Sequence, residues 1–223
     1  MTECNLLTRT LVAAASCLAV GSASASLATW TDWTSISPTS ATGTMGGTGV
    51  TATTNFGTVM NGPTSQTSCG TNFWTEPNAL SRPYTGGSLS NAPTACDQVS
   101  LNSPASITVT FSSAVNDLYM ALLSVGQPGL QVTYDFDRAF TIDSQGVGFF
   151  GSGPGVPGAG DRLAMNEFHG VVKFSAPVTS MTFTTAPTEN WHAFTFGTTV
   201  PEPGTFALLG LGLAGLGFSR RKQ

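Results

Sequence analysis

Between residues 26 and 199 few side chains could do chemistry: two histidines, His169 and His192, and ten carboxylates set against only four cations, Arg82, Arg138, Arg162 and Lys173. Glu167 and His169 stand two apart, a spacing that puts both on one face of a strand. A metal pair or an acid/base pair has that spacing, and so has an ordinary hydrogen-bonded surface pair. Asp135 and Asp137 alternate with Tyr134 and Phe136, so their carboxylates should point away from a core. Calcium, which needs several oxygens around one ion, would use them with Asp143 or Asp161 as helpers; no other cofactor is suggested. Neither histidine lies in a nucleophile elbow, a zinc-protease helix or a phosphate loop, so the expectation is a domain that is not an enzyme. The excess of negative charge would repel nucleic acid rather than attract it.

The segments that must position these groups read as strands. Val50, Ala52, Thr54 and Phe56 alternate along GVTATTNFG, Ile107, Val109 and Phe111 along SITVTF, and Val132, Tyr134 and Phe136 along QVTYDFD. Val172 with Phe174, Met181 with Phe183, and Phe194 with Phe196 repeat the pattern, and Leu118 to Val125 is apolar on both faces, as a central strand is. Thr, Ser and Gly abound, Lys and Glu are scarce, and no amphipathic helix of about ten residues appears. The fold class expected for residues 26–199 is therefore all-β, an antiparallel sandwich of jelly-roll type. GFFGSGPGVPGAGD, residues 148 to 161, reads as a long loop between strands. Beside it, Phe149 and Phe150 could stack on sugar faces if exposed, as could Trp30, Trp33, Trp74 and Trp191, although aromatics in a sandwich more often fill the core.

The two ends differ from the body. Residues 1–25 have the layout of a secretory signal: Arg9, an apolar run from Leu11 to Val20, then Ala23-Ser24-Ala25 for signal peptidase. Acylation of Cys17 is disfavoured, because Ala14-Ala15-Ser16 lacks the usual Leu and leaves too short an apolar run. Cys4 and Cys17 would depart with that segment, so the exported chain keeps Cys69 and Cys96, expected to form a disulfide. The bridge would close a loop rich in Pro, Gly, Ser and Asn that has no evident core of its own.

Residues 200–223 begin Val200-Pro201-Glu202-Pro203, continue through an apolar run carrying Phe206, Leu208, Leu209, Leu211, Leu213, Leu216 and Phe218, and end on Arg220, Arg221 and Lys222. A helix from Gly204 to Phe218 would reach about 22 Å, short of the roughly 30 Å of bilayer hydrocarbon. Its Leu and Phe side chains favour insertion by on the order of 3 kcal/mol, enough for a marginal membrane anchor held by the cations on the cytoplasmic side. The two prolines keep the outer edge extended, as a processing protease needs. This three-part terminus resembles the PEP-CTERM sorting signal of exported bacterial proteins. The resemblance implies recognition by an exosortase-type processing enzyme, brief residence in the inner membrane, and a destination at the cell surface or in an extracellular matrix. In that family the association with exopolysaccharide implies a structural or adhesive role in a biofilm layer. A carbohydrate-binding module, calcium-dependent or not, is the alternative for the body, which loosely resembles the all-β ectodomains of PEP-CTERM proteins.

Overall fold

The computed structural model describes residues 25–56, 67–77, 80–175 and 177–199. The signal segment, the sorting tetrapeptide from Val200 to Pro203, the apolar tail and its basic cluster lie outside the described residues. Fourteen strands and no helix are found among those described. They are β1 (Ala28–Trp30), β2 (Asp32–Ile36), β3 (Ser40–Met45), β4 (Thr48–Phe56), β5 (Val99–Leu101), β6 (Ala105–Val115), β7 (Leu118–Val125), β8 (Val132–Phe136), β9 (Phe140–Gln145), β10 (Gly155–Pro157), β11 (Arg162–Met165), β12 (Phe168–Phe174), β13 (Val178–Ala186) and β14 (His192–Thr199). All pairings between strands are antiparallel, and they make two sheets. The eight-stranded sheet runs β10-β11-β8-β13-β6-β4-β3-β2, and the six-stranded sheet runs β1-β14-β7-β12-β9 with β5 also on β14. The fold is a β-sandwich, as the alternating apolar runs require.

Alternation sends every second side chain inward. Ile107, Val109 and Phe111 of β6, Val132, Tyr134 and Phe136 of β8, Met181 and Phe183 of β13, and Phe194 and Phe196 of β14 all meet in the main core between the sheets. Tyr134 stacks on Phe183 at 5.4 Å between ring centroids, and Phe183 meets Phe194 edge-on at 5.5 Å. Trp33 is also enclosed there and donates its indole N–H to Thr195 Oγ1 at 3.1 Å.

β7 lies between β14 and β12 and is buried along its whole length. In a bare two-layer sandwich one of its faces would meet water. Here a second core lies on the outer side of the six-stranded sheet, where Tyr119, Ala121 and Leu123 of β7, Val171 of β12 and Ala193 of β14 pack under Trp74, Tyr84 and Leu89. Those three covering residues belong to the disulfide-tied segment, which has no core of its own and borrows one from the sheet. Its apolar residues come singly, without a period, and form a core only by lying on a sheet they do not belong to.

The Gly/Pro-rich stretch departs from expectation. Gly155, Val156 and Pro157 form β10 and pair with Met165, Ala164 and Leu163. Pro157 fits because β10 is the last strand of its sheet, where a missing N–H costs no ladder bond.

The outer face of the eight-stranded sheet accounts for the abundance of Thr and Ser. Thr42, Thr51, Thr110 and Ser180 stand in one cross-strand row, and Ser40, Thr53, Thr108 and Thr182 in the next. The Thr108 and Thr182 hydroxyls meet at 3.1 Å, and Thr53 donates to the Thr108 carbonyl at 3.4 Å. Pairs of this kind stabilise neighbouring strands by a few tenths of a kcal/mol to about 1 kcal/mol each.

β14 gives the sandwich a direction. Thr199, at its last position, pairs with Ala28 of β1, while His192, at its first, pairs with Leu101 of β5. The start of the described chain and the departure point of residues 200–223 therefore share one end. The ends of β7 and β9 and the start of β12 lie at the other, because Leu123 pairs with Ala193, Phe168 with Val125 and Gly170 with Gln145.

Candidate functional site

The end remote from Ala28 and Thr199, here termed the apex, carries the exposed aromatic side chains Phe149 and Phe150. Gln145 ends β9 and leads into a tight turn in which the Gly148 N–H donates to the Gly151 carbonyl at 2.8 Å. Phe149 and Phe150 occupy the tip, 47% and 46% exposed. Gly151 sits at φ 132°, a conformation open to glycine, which explains the residue at this corner. The turn leans on rings from two other segments. Phe73, from the disulfide-tied segment, lies 5.2 Å from Phe149 and 5.6 Å from Phe150, and Trp191, just before β14, lies 5.4 Å from Phe150 and 5.5 Å from Phe73. Flanking the turn is a depression of about 390 Å³ lined by Gln145, Gly146, Val147, Ser152, Gly153 and Pro154.

Beneath this turn is a cluster of polar side chains. Tyr84 and His169 Nδ1 are 3.0 Å apart. Burial, and then the charge of Glu76, push the Tyr84 phenol well above its ordinary value, so it stays protonated and is the donor. On the other side of the ring, His169 Nε2 comes within 3.4 Å of Glu167 Oε1 without hydrogen-bond alignment. The same carboxylate oxygen accepts the Ser124 hydroxyl at 2.6 Å. His169 is fully enclosed, whereas Glu167 keeps 14% of its side chain in contact with solvent. Gly148 lies against the imidazole so closely that a Cβ there would overlap Nδ1 and Cγ.

Glu167 and His169 are thus brought together, though not by sharing a strand face. Glu167 precedes β12 in a left-handed turn at φ 50°, and Ser124 opposite it has φ 53°. Two adjacent non-glycine residues in this sparsely populated region, hydrogen-bonded to one another, store strain that the surrounding packing must hold. The spacing of Glu167 and His169 marked the pair, but Tyr84, Phe73 and Ser124 were not found from the sequence. The one signal available for Ser124 was a small hydroxyl side chain near the end of an otherwise bulky or apolar strand, just before Val125-Gly126.

A second buried pair lies across β7. His192 Nδ1 is 2.8 Å from Glu189 Oε2, which also accepts the Gly126 N–H at 2.9 Å. His192 packs edge-on against Tyr134 at 5.7 Å, inside the main core, where it orders the start of β14.

The calcium candidates do not converge. Asp135 takes the Arg162 guanidinium at 2.9 Å, Asp137 takes Arg138 at 3.3 Å and the Thr182 N–H at 2.8 Å, and Asp143 caps Ser88. Both carboxylates do point away from the core, as alternation requires. Among the described residues no group of three or more His, Cys, Asp or Glu side chains could hold a metal ion. Of the four tryptophans, Trp33 fills the main core, Trp74 and Trp30 belong to the outer one, and Trp191 alone reaches the apex. Cys69 and Cys96 are joined in a disulfide, and the Gly70 N–H donates to the Ala95 carbonyl beside it.

This arrangement is that of an all-β sandwich domain, with an exposed aromatic cluster at one end and Thr199, the last described residue, at the other. Residues 199–222 match the family of the PEP-CTERM protein-sorting motif. The motif marks an exported protein that passes through a membrane-anchored stage and is sorted by exosortase. Neither the curated proteins nor the solved structures contain a match to the chain.

Proposed function

We propose that the chain is a non-enzymatic surface or matrix protein with a structural or adhesive role in an extracellular polysaccharide layer. Residues 1–25 carry it to the export machinery, and residues 200–223 hold it in the inner membrane, C-terminus inward, until exosortase removes the tail. The observation supporting this reading is the polarity of the sandwich. Thr199 lies beside Ala28, so an anchor continuing from Thr199 holds that end at the membrane, and the apex faces outward. β14 spans eight residues, which at about 3.3 Å each sets the apex some 25 Å from the anchored end.

Truncation after Thr199 tests the proposal. Blots of whole cells, membranes and medium should show the wild-type chain at the envelope and its processed form at the surface or in the matrix. The truncated chain should be released into the medium, and the polysaccharide layer should lose cohesion. A truncated chain that matures and resides as the wild type does would rule out the sorting role. A truncated chain that is released while cohesion stays normal would rule out the structural role.

A further inference from the structure

We propose that the apex is a binding site for neutral hexopyranose chains, an inference that rests on the adhesive reading above and gives it a ligand class. Three observations converge on one place. Phe149 and Phe150 are large apolar side chains left half-exposed, and they are braced by Phe73 and Trp191. Rigid rings of this kind receive the C–H face of a pyranose and exclude water from it at small entropic cost. The depression beside them, about 390 Å³, has the volume of a small-ligand site and a mainly apolar lining with Gln145 and Ser152 as its polar side chains, the balance expected of a site that takes a sugar face and a few hydroxyls.

Glu167 is the third element. Its side chain lies under the turn with Cγ beside Gly151, and its carboxylate is held by the Ser124 hydroxyl, with His169 Nε2 3.4 Å away. A carboxylate so held accepts hydrogen bonds from vicinal hydroxyls. The left-handed backbones of Glu167 and Ser124 fit this role, since strain held by the fold concentrates where a side chain must be aimed. Charge selects the ligand further. Arg82, Arg138, Arg162 and Lys173 neither line the depression nor join the ring cluster, and of Glu167 and His169 under the turn it is the carboxyl group that reaches solvent, so uronate or sulfated chains are disfavoured. The outward direction of the apex places the site where a matrix polymer can reach it.

The experiment uses the full chain purified in mild detergent, applied to immobilised neutral glucan, mannan and galactan, with alginate as the anionic arm. Wild type should be retained on at least one neutral polymer and released by its soluble oligosaccharide. Phe149→Ala/Phe150→Ala should weaken retention by about tenfold or more, and Glu167→Gln by several-fold, with Phe149→Tyr/Phe150→Tyr close to wild type. Thermal unfolding of each variant separates lost binding from lost folding. Retention unchanged by either variant would overturn the apex site while leaving the adhesive role intact. Retention on alginate alone would overturn the neutral-ligand assignment. Absence of retention on every neutral polymer, or concentration-dependent self-association abolished by Phe149→Ala/Phe150→Ala, would overturn the inference in favour of another occupant. The adhesive reading itself would then stand or fall on the cohesion of the layer after truncation.

Discussion

Replacing Phe194 by Ala should lower the stability of the domain by about 3–5 kcal/mol, the usual cost of removing a buried aromatic ring. The ring is fully enclosed, meets Phe183 at 5.5 Å and Phe196 at 5.6 Å, and sits on β14 where it pairs with both β5 and β7. Both sheets contribute to its surroundings, so neither can move inward to fill the space without shifting its own ladder. For a domain of this size a loss of that order lowers the melting temperature by roughly 10 °C or more. Urea unfolding followed by Trp fluorescence measures it, because Trp33 shares the same core. A change below about 1 kcal/mol would mean that the two sheets are not packed as described.

The second large effect is expected at the disulfide. Cys69→Ser/Cys96→Ser should cost about 3 to 4 kcal/mol, the chain-entropy value for releasing a loop of this length. The residues lie 27 apart, and Cys69 is exposed, so little packing is lost with its sulfur. The consequence should reach beyond the loop. Trp74, Tyr84 and Leu89 cover the outer face of β7, and freeing one end of their segment weakens that cover. Binding of a hydrophobic dye by the variant near its midpoint, stronger than by wild type, would report the uncovered face. Equal melting temperatures for wild type with and without reductant would contradict the assignment.

How much of this was legible in the sequence follows from where periodicity acts. The strands containing Ile107, Tyr134, Phe183 and Phe194 were plain, because alternation is a local property and each run carries two or three large apolar terms. The hairpin of β2 and β3 was not, since Ser40–Met45 offers only Ala41, Gly43 and Met45 on its inner side. Its identity comes from pairing with β4, a contact the local pattern does not encode. The second core was hidden for a related reason, as Trp74, Tyr84 and Leu89 become a layer only when laid across β7. Conversely, the continuous apolar run from Leu118 to Val125 did announce a strand covered on both sides. The Glu167–His169 pair was visible as a spacing, but its geometry depends on a left-handed turn and on Tyr84, 85 residues away. The sorting terminus was the most legible part, because its chemistry is carried by contiguous residues.

β14 connects the two ends without interruption: Trp191 precedes its first residue and Thr199 closes it. Tension applied between Trp191 and Thr199 would therefore run along a single strand that is hydrogen-bonded to β7 on one side and to β1 and β5 on the other. Those bonds lie across the direction of pull and are loaded together in shear, instead of being peeled one after another. A domain strung this way resists being pulled open along that strand, a property useful to a fold drawn through a membrane-anchored stage by its last strand.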